Sequence, residues 1–380
     1  MYPLSWIEIS RKNLVGNVSQ IKKFLGKKKI AAVIKANAYG HGQNEVARIL
    51  EDYVDYFQVD DLLELEKLRE VTKKPTFVFG YVAKQNLREA VMLDGILGMY
   101  DIERTILLDQ LGKKLNKKVN VHIKIDTGLG RQGILLENVD KYIRKIRSLK
   151  NIKVEGIYSH FANIEDTTDF THAQKQMDTF KIAVKYFERA GYKSLTKHMS
   201  ATSGVLVYEA SHKYFDMVRV GIGLYGLWPS EDLKGRYMDK INLKPVMTWH
   251  SRVAQVKKVP KGFPIGYGLT YITPSEKIVA IIPQGYSDGY RRLLSNAGQV
   301  LIKGKRCKVL GRVAMNMFTV DVSRIKDVKA DDDVVLLGKQ GSEEITAEEI
   351  ALKTGTINYE VVSTINPLLP RIMAQPSPAS

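Results

Sequence analysis

The chain has 380 residues, 44% hydrophobic and 26% charged, which is the balance of a globular protein with two domains or one large barrel plus an appendage. Its single cysteine, Cys307, excludes an internal disulfide and a cysteine-rich metal site, so no metal and a reducing, cytoplasmic setting are expected. The formal net charge of +17 invites a nucleic-acid reading, but lysines and arginines are spread along helical stretches such as 141–150, and solvated helix faces account for them. The first residues carry no basic segment followed by an apolar one, and no apolar run approaches the length of a membrane span. Neither a secretory signal, a membrane nor a nucleic acid is therefore expected as a partner.

Through the first 235 residues, short apolar runs alternate with amphipathic stretches. The runs lie at 31–34, 56–59, 76–79, 96–99, 119–125, 154–158, 195–199 and 217–220; helical periodicity marks 43–51, 62–71, 103–111, 139–149 and 174–190. Eight strands with helical crossovers in so short a span predict a (β/α)8 barrel over residues 11–235, with an open doubly wound sheet as the alternative. Lys35 follows the first run, Lys124 and Asp126 end the fifth with Arg131 just beyond, and His160, Ser200 and Arg219 end the sixth, seventh and eighth. Each alone is ordinarily structural: a core histidine, a helix cap, a buried ion-pair partner. At the carboxyl ends of barrel strands they converge on one mouth.

Lys35 has the most telling neighbours. Asn37, Tyr39, Gly40, His41 and Gly42 crowd the next turn, and glycine-rich loops after strands are where phosphates bind. Low dielectric at the strand end is expected to disfavour the ammonium and free the amine as nucleophile or base. Gly221-x-Gly223-x-x-Gly226 matches a dinucleotide fingerprint, yet Trp228-Pro229-Ser230 follows and no helix is expected to open inside the glycines, so a dinucleotide fold is rejected. Bare backbone N–H groups in the loops after the seventh and eighth strands remain suited to a phosphate.

After Trp228 the pattern turns to β. Extended runs at 246–259, 277–283, 299–302, 306–313, 319–322 and 333–337 are punctuated by Gly, Pro and Asn, with a linker at about 230–238 and one helix near 346–353, where Thr346 and Glu349 fit a capping box. The expected organisation is an α/β (β/α)8 barrel at 11–235, then a mostly β domain at 236–373 joined by strand 1–10, then a disordered tail at 374–380.

The segment around Lys35, with Gly266-Tyr267-Gly268, Gly285-Tyr286-Ser287-Asp288-Gly289, Ala314-Met315-Asn316, Ile357-Asn358-Tyr359 and Pro370-Arg371, resembles the pyridoxal-phosphate-dependent alanine racemases in order and spacing. The resemblance implies interconversion of L- and D-alanine, supplying D-alanine for peptidoglycan, on pyridoxal 5'-phosphate held by Lys35 as a Schiff base. It implies that Arg219 faces the pyridine nitrogen with His160 hydrogen-bonded to it, and that Tyr39, Ser200, Gly221, Ile222 and Tyr359 hold the phosphate. Arg131, oriented by Lys124 (sometimes carbamylated in the family), and the Met315 backbone would bind the substrate carboxylate. Lys35 and Tyr267, the latter from the other subunit of a homodimer with shared sites, would be the two bases, with Tyr286 and Asn316 in support. Glu165, Arg292, Arg312, Ile357 and Tyr359 would line the substrate's way in. Asn316 departs from the family's usual aspartate, and Ala314 from its cysteine or serine, which opens serine or a broader range as an alternative substrate. A barrel decarboxylase is the lesser alternative, because that family has an acidic partner at the pyridine nitrogen and an essential cysteine near the end.

Overall fold

A computed structural model describes residues 3–165, 167–207 and 214–374. The chain divides into two units, neither contiguous: Leu14–Ala36 with Gln43–Lys244, and Met1–Asn13 with Asn37–Gly42 and Pro245–Ser380. The strand β1 (Trp6–Ile9) belongs to the second.

In the first unit, β-branched and small apolar runs form β2 (Lys29–Val33), β3 (Tyr56–Val59), β4 (Thr76–Val78), β5 (Gly95–Met99), β6 (Val119–Lys124), β7 (Ile152–Tyr158), β8 (Thr196–His198) and β9 (Met217–Val220). All pair in parallel in the order β8-β7-β6-β5-β4-β3-β2-β9, so the first strand lies beside the last. The remaining seam is spanned by Asp216 N–H to Lys197 O at 2.9 Å and Arg219 N–H to Ser200 O at 3.0 Å. This is the barrel that the strand–helix alternation predicts, with all eight strands on the expected runs. Ala31, Phe77, Phe79, Ile96, Tyr158 and Met217 pack together inside it.

Two of the crossover helices start where acidic side chains cap them. Asp61 accepts from Glu64 N–H to open Leu62–Arg69, and Asp101 from Arg104 N–H to open Ile102–Leu115, which Asn116 ends in the left-handed conformation. The expected linker at 230–238 is instead a helix, Glu231–Tyr237. Ser230 caps it by accepting from Leu233 N–H, Glu231 and Asp232 sit at its positive end, Arg236 pairs with Asp232 one turn earlier, and Leu233 is buried. A short 3₁₀ turn, Ile222–Tyr225, does open inside the glycine motif, contrary to expectation. Four residues of 3₁₀ turn after a barrel strand leave the rejection of a dinucleotide fold standing.

The second unit is built on a ten-stranded sheet. Its order runs Gln255–Val259, Lys277–Ile282, Phe318–Asp321, Lys305–Leu310, Gln299–Ile302, Asp333–Gln340, Met247–Arg252, β1 and Arg371–Met373, with Glu343–Ile345 added beside Asp333–Gln340. Neighbours are antiparallel except β1 with Arg371–Met373. The run at 246–259 is two strands in different parts of the sheet: Met247–Arg252 pairs with Asp333–Gln340, and Gln255–Val259 with Lys277–Ile282. Thr346 caps Ala347–Thr354 by accepting from Glu349 N–H, while the Glu349 carboxylate holds Arg306 and Lys353, so only half of the expected capping box forms. Ala374 donates to Ile9 O at 2.9 Å; the rest of the expected tail, 375–380, lies outside the described residues. Among the described residues no helix is long and apolar enough to cross a membrane.

Candidate active site

After β2 the chain does something its sequence does not announce. Ala36, Asn37, Ala38 and Tyr39 take φ between 51° and 54°, a left-handed turn made wholly of side-chain-bearing residues. Such geometry costs about 1–2 kcal/mol per residue, so the surroundings must impose it. In the β-rich unit, His41 N–H donates to Ala38 O and Gly42 N–H to Asn37 O, and His41 Nδ1 lies 2.9 Å from Tyr39 O. Burial pushes His41 down to about 4 and keeps it neutral. Arg371 donates to Gly40 O at 3.1 and 2.9 Å. Gly40, at φ 81°, has no room for a side chain, since a Cβ would stand 2.0 Å from the Val362 carbonyl.

On the barrel side, the Glu64 carboxylate accepts from Ala36 N–H at 2.6 Å and Asp60 N–H at 2.7 Å. Burial raises its pKa against these bonds. Lys35 Nζ lies 3.2 Å from Asp60 Oδ1, with its side chain 40% exposed. The expected dry strand end is therefore absent. Lys35 is placed at the carboxyl end of β2 as an ion-paired, partly exposed amine.

The other barrel candidates converge. Arg219 Nη2 donates to Ser159 O at 2.8 Å and Met199 O at 3.2 Å and lies 3.1 Å from His160 Nδ1; Nη1 lies 2.5 Å from His198 Nδ1. Every such partner is a neutral acceptor, and among the described residues no carboxylate pairs with Arg219. Burial lowers Arg219 to about 10, so it keeps its charge at neutral pH. Burial first, and then the charge of Arg219, push His160 down to about 3. Because arginine only donates, neutral His160 accepts at Nδ1 and carries its proton on Nε2.

Lys124 Nζ donates to Gln132 at 3.1 Å. Burial, then Arg131 and Arg219, bring it down to about 8, which leaves an appreciable fraction of neutral amine near neutral pH. Burial pulls Asp126 upward, but the N–H groups of Gly128, Gly130, Leu129 and Arg131 outweigh it and hold the carboxylate low, folding the loop that carries Arg131. An open cavity of about 260 Å³ lies against Arg131, His160, Phe161, Glu165 and Ser203. Ser200 is fully buried after β8. Thr202 Oγ1 takes the N–H groups of Gly221 and Gly223, leaving that of Ile222 unpaired among the described residues.

The remaining candidates belong to the β-rich unit. Tyr39 and Tyr359 come together, with ring centroids 6.1 Å apart. Tyr286 and Ser287 donate their N–H groups to Ala314 O and Met315 O. The Ser287 hydroxyl also donates to Met315 O at 2.8 Å, and the Asn316 amide donates to Ser287 Oγ at 2.9 Å. Tyr267 stands between Gly266 and Gly268, both at positive φ, with 73% of its surface exposed.

His198, His122, Glu64, Asp60 and Ser287 are functional candidates that the sequence reading passed over. For two of them the signal is a spacing of two: His122 stands two residues before Lys124 on β6, and His198, the last residue of β8, two before Ser200.

Comparison with known proteins agrees with this geometry. The model of the alanine racemase N-terminal domain matches residues 9–229, and that of the C-terminal domain matches 246–373. The alanine racemase of Halothermothrix orenii is 40% identical over 370 residues, 97% of this chain and 96% of the relative. The solved alanine racemase of Clostridium difficile 630 superposes with a TM-score of 0.91 at 34% identity, covering 98% of this chain and 96% of that one. That of Bartonella henselae, solved with covalently bound pyridoxal phosphate, gives 0.85 at 25% identity over 98% of this chain and 100% of its own. By two matching domain models and relatives similar along nearly its whole length, this chain belongs to the alanine racemase family.

Proposed function

We propose that this protein interconverts L- and D-alanine by two-base proton transfer at the α-carbon, using pyridoxal 5'-phosphate. The observation that carries the mechanism is Arg219, a buried cation held, among the described residues, only by neutral acceptors at the strand ends where Lys35 also lies. The donor set fits the cofactor: Arg219, Arg131, Lys124 and Lys35 offer cationic nitrogen to an anionic ring and phosphate, and Ser200 and Ile222 offer neutral donors. When bound, pyridoxal phosphate lends an electron-withdrawing ring that makes the α-proton of an attached amino acid removable.

The residues divide the remaining work. Lys35 holds the cofactor and, once released, moves a proton on one face of the α-carbon. Tyr267 of a second copy serves the other face, a reading supported by its exposure and by the family resemblance. A phenol near pKa 10 is a poor base, so the positive charge of Arg219, relayed through the Nε2–H of His160, has to favour its deprotonated form. Arg219 also leaves the ring nitrogen unprotonated, as a carboxylate partner would not. Lys124 orients Arg131, which with the Met315 backbone grips the substrate carboxylate; the phosphate goes to Tyr39, Ser200, Gly221, Ile222 and Tyr359, and Tyr286 supports the substrate side. The lone Cys307, buried in the β-rich unit, suits a cytoplasmic enzyme. Purified protein is expected to be yellow, to lose that colour on borohydride treatment and to convert L-alanine to a racemic mixture. Colourless protein that stays inactive after incubation with the cofactor would overturn the reading.

Asn316 bears on the choice of substrate. One N–H of its amide is committed to Ser287, which leaves the other to meet a substrate hydroxyl. Alanine stays preferred, with serine a measurable second substrate. A net hydrogen bond of about 0.5–1.5 kcal/mol corresponds to roughly a 2–13-fold change in the serine-to-alanine ratio of kcat/KM, and Asn316→Asp is expected to lower that ratio accordingly. An unchanged ratio would show that this position does not sense the side chain.

A further inference from the structure

The interior of a (β/α)8 barrel is normally filled with layers of branched aliphatic side chains. Here a polar column crosses it. Arg219 Nη1 lies 2.5 Å from His198 Nδ1, and His198 Nε2 lies 2.8 Å from His122 Nδ1. His198 is wholly buried and His122 is 2% exposed. Aromatic rings enclose both: Tyr158 stacks on His198 at 5.1 Å and 2°, and Phe77 meets His122 edge-on at 4.7 Å. Room for His122 is built in at Gly156, where a Cβ would stand 2.3 Å from the imidazole. Two imidazoles and a guanidinium in such surroundings are costly unless their nitrogens are paired.

The donor inventory admits one arrangement of protons. Arginine only donates, so His198 accepts at Nδ1 and carries its proton on Nε2. That proton is given to His122 Nδ1, so His122 carries its own on Nε2. Burial and the charge of Arg219 keep both rings neutral, His122 at about 3. His122 also lines an open cavity of about 360 Å³ with Tyr56, Lys153, Tyr192 and Thr196, residues at or shortly before the amino ends of β3, β7 and β8. The column thus runs from the carboxyl end of the barrel to a pocket at the opposite end.

We propose that His122 is a positioning residue for Arg219, acting through His198: by accepting at Nδ1 it fixes the tautomer of His198 and with it the rotation of the guanidinium. The proposal rests on the reading of Arg219 as the residue that faces the cofactor ring. With the other tautomer, His198 would turn a second N–H against Nη1 and push the guanidinium away. Neutral acceptors hold Arg219 without cancelling its charge, which an aspartate at the same place would do. The full charge remains for His160 and the bound ring.

The test uses the cofactor-loaded enzyme. Nitrogen-15 histidine spectra of the wild type between pH 5 and 9 are expected to show His122 and His198 neutral, with protons on Nε2, throughout. His122→Leu removes the acceptor and is expected to lower kcat by roughly 10–100-fold, with KM nearly unchanged and with shifts in both the pH–rate profile and the visible absorbance of the bound cofactor. His122→Asn, whose amide oxygen can replace Nδ1, is expected to recover most of the turnover and the wild-type absorbance. A proton on Nδ1 of His198, or a charged ring at either position, would overturn the proposal even if His122→Leu failed to fold. A folded His122→Leu enzyme with wild-type kcat, pH profile and absorbance would overturn it too. The nitrogen spectra report on the column whatever Arg219 does, whereas protein that never takes up a chromophore would sink the underlying reading instead.

Discussion

Replacing Lys35 with alanine is expected to abolish the borohydride-reducible chromophore and to lower racemisation by about 10⁴-fold or more, the upper end of what a positioned base alone contributes. The structure makes this a clean experiment. The Lys35–Asp60 pair is half exposed on both sides, and such pairs contribute about 0–1 kcal/mol to stability. The left-handed turn that follows is held through Glu64, His41 and Arg371 and not through the Lys35 side chain. A melting temperature close to wild type should therefore accompany the loss of activity. A variant that still traps the cofactor on another lysine, or that keeps substantial turnover, would remove Lys35 from the mechanism.

Mixing two inactive proteins, Lys35→Ala and Tyr267→Phe, is expected to restore activity. If each site joins Lys35 of one copy to Tyr267 of the other, both lesions in a mixed dimer fall on the same site and the second site is intact. Random exchange makes half of the dimers mixed, so activity per site should recover to about one quarter of wild type. Tyr267→Phe removes only a hydroxyl from an exposed side chain, so the parent proteins should fold and exchange normally. Exchange proved by mass labelling without regained turnover, or full activity in a protein shown to be monomeric, would end the shared-site model.

The barrel was readable because its strands announce themselves twice, by apolar runs of four to seven residues and by polar residues set where each run stops. Lys35, Lys124, His160, Ser200 and Arg219 all stand at or within two residues of the carboxyl end of a strand. What escaped reading was decided by partners far along the chain. Nothing local in Ala36-Asn37-Ala38-Tyr39 favours left-handed backbone; Arg371 and the carbonyl of Val362, more than 300 residues on, help to impose it. His122 and His198 look like ordinary core residues until the closing of the sheet brings His198 beside Arg219 and His122 behind it. The run at 246–259 carries no turn signal strong enough to show that it is two strands; pairing with Asp333–Gln340 on one side and Lys277–Ile282 on the other divides it. The helix at Glu231–Tyr237 is hidden in the sequence because its charge resembles that of a solvated linker, although acids in the first turn and bases in the last also suit a short helix.

The parallel pairing of β1 with Arg371–Met373 also has a consequence for synthesis. Trp6, Ile7 and Ile9 leave the ribosome long before Arg371–Met373, one of the two strands that flank them. At roughly 5–20 residues per second the intervening chain takes on the order of 20–70 s to appear. Through that interval the edge of β1 that pairs with Arg371–Met373 stays open, an apolar strand edge on a nascent polypeptide that a chaperone would shield.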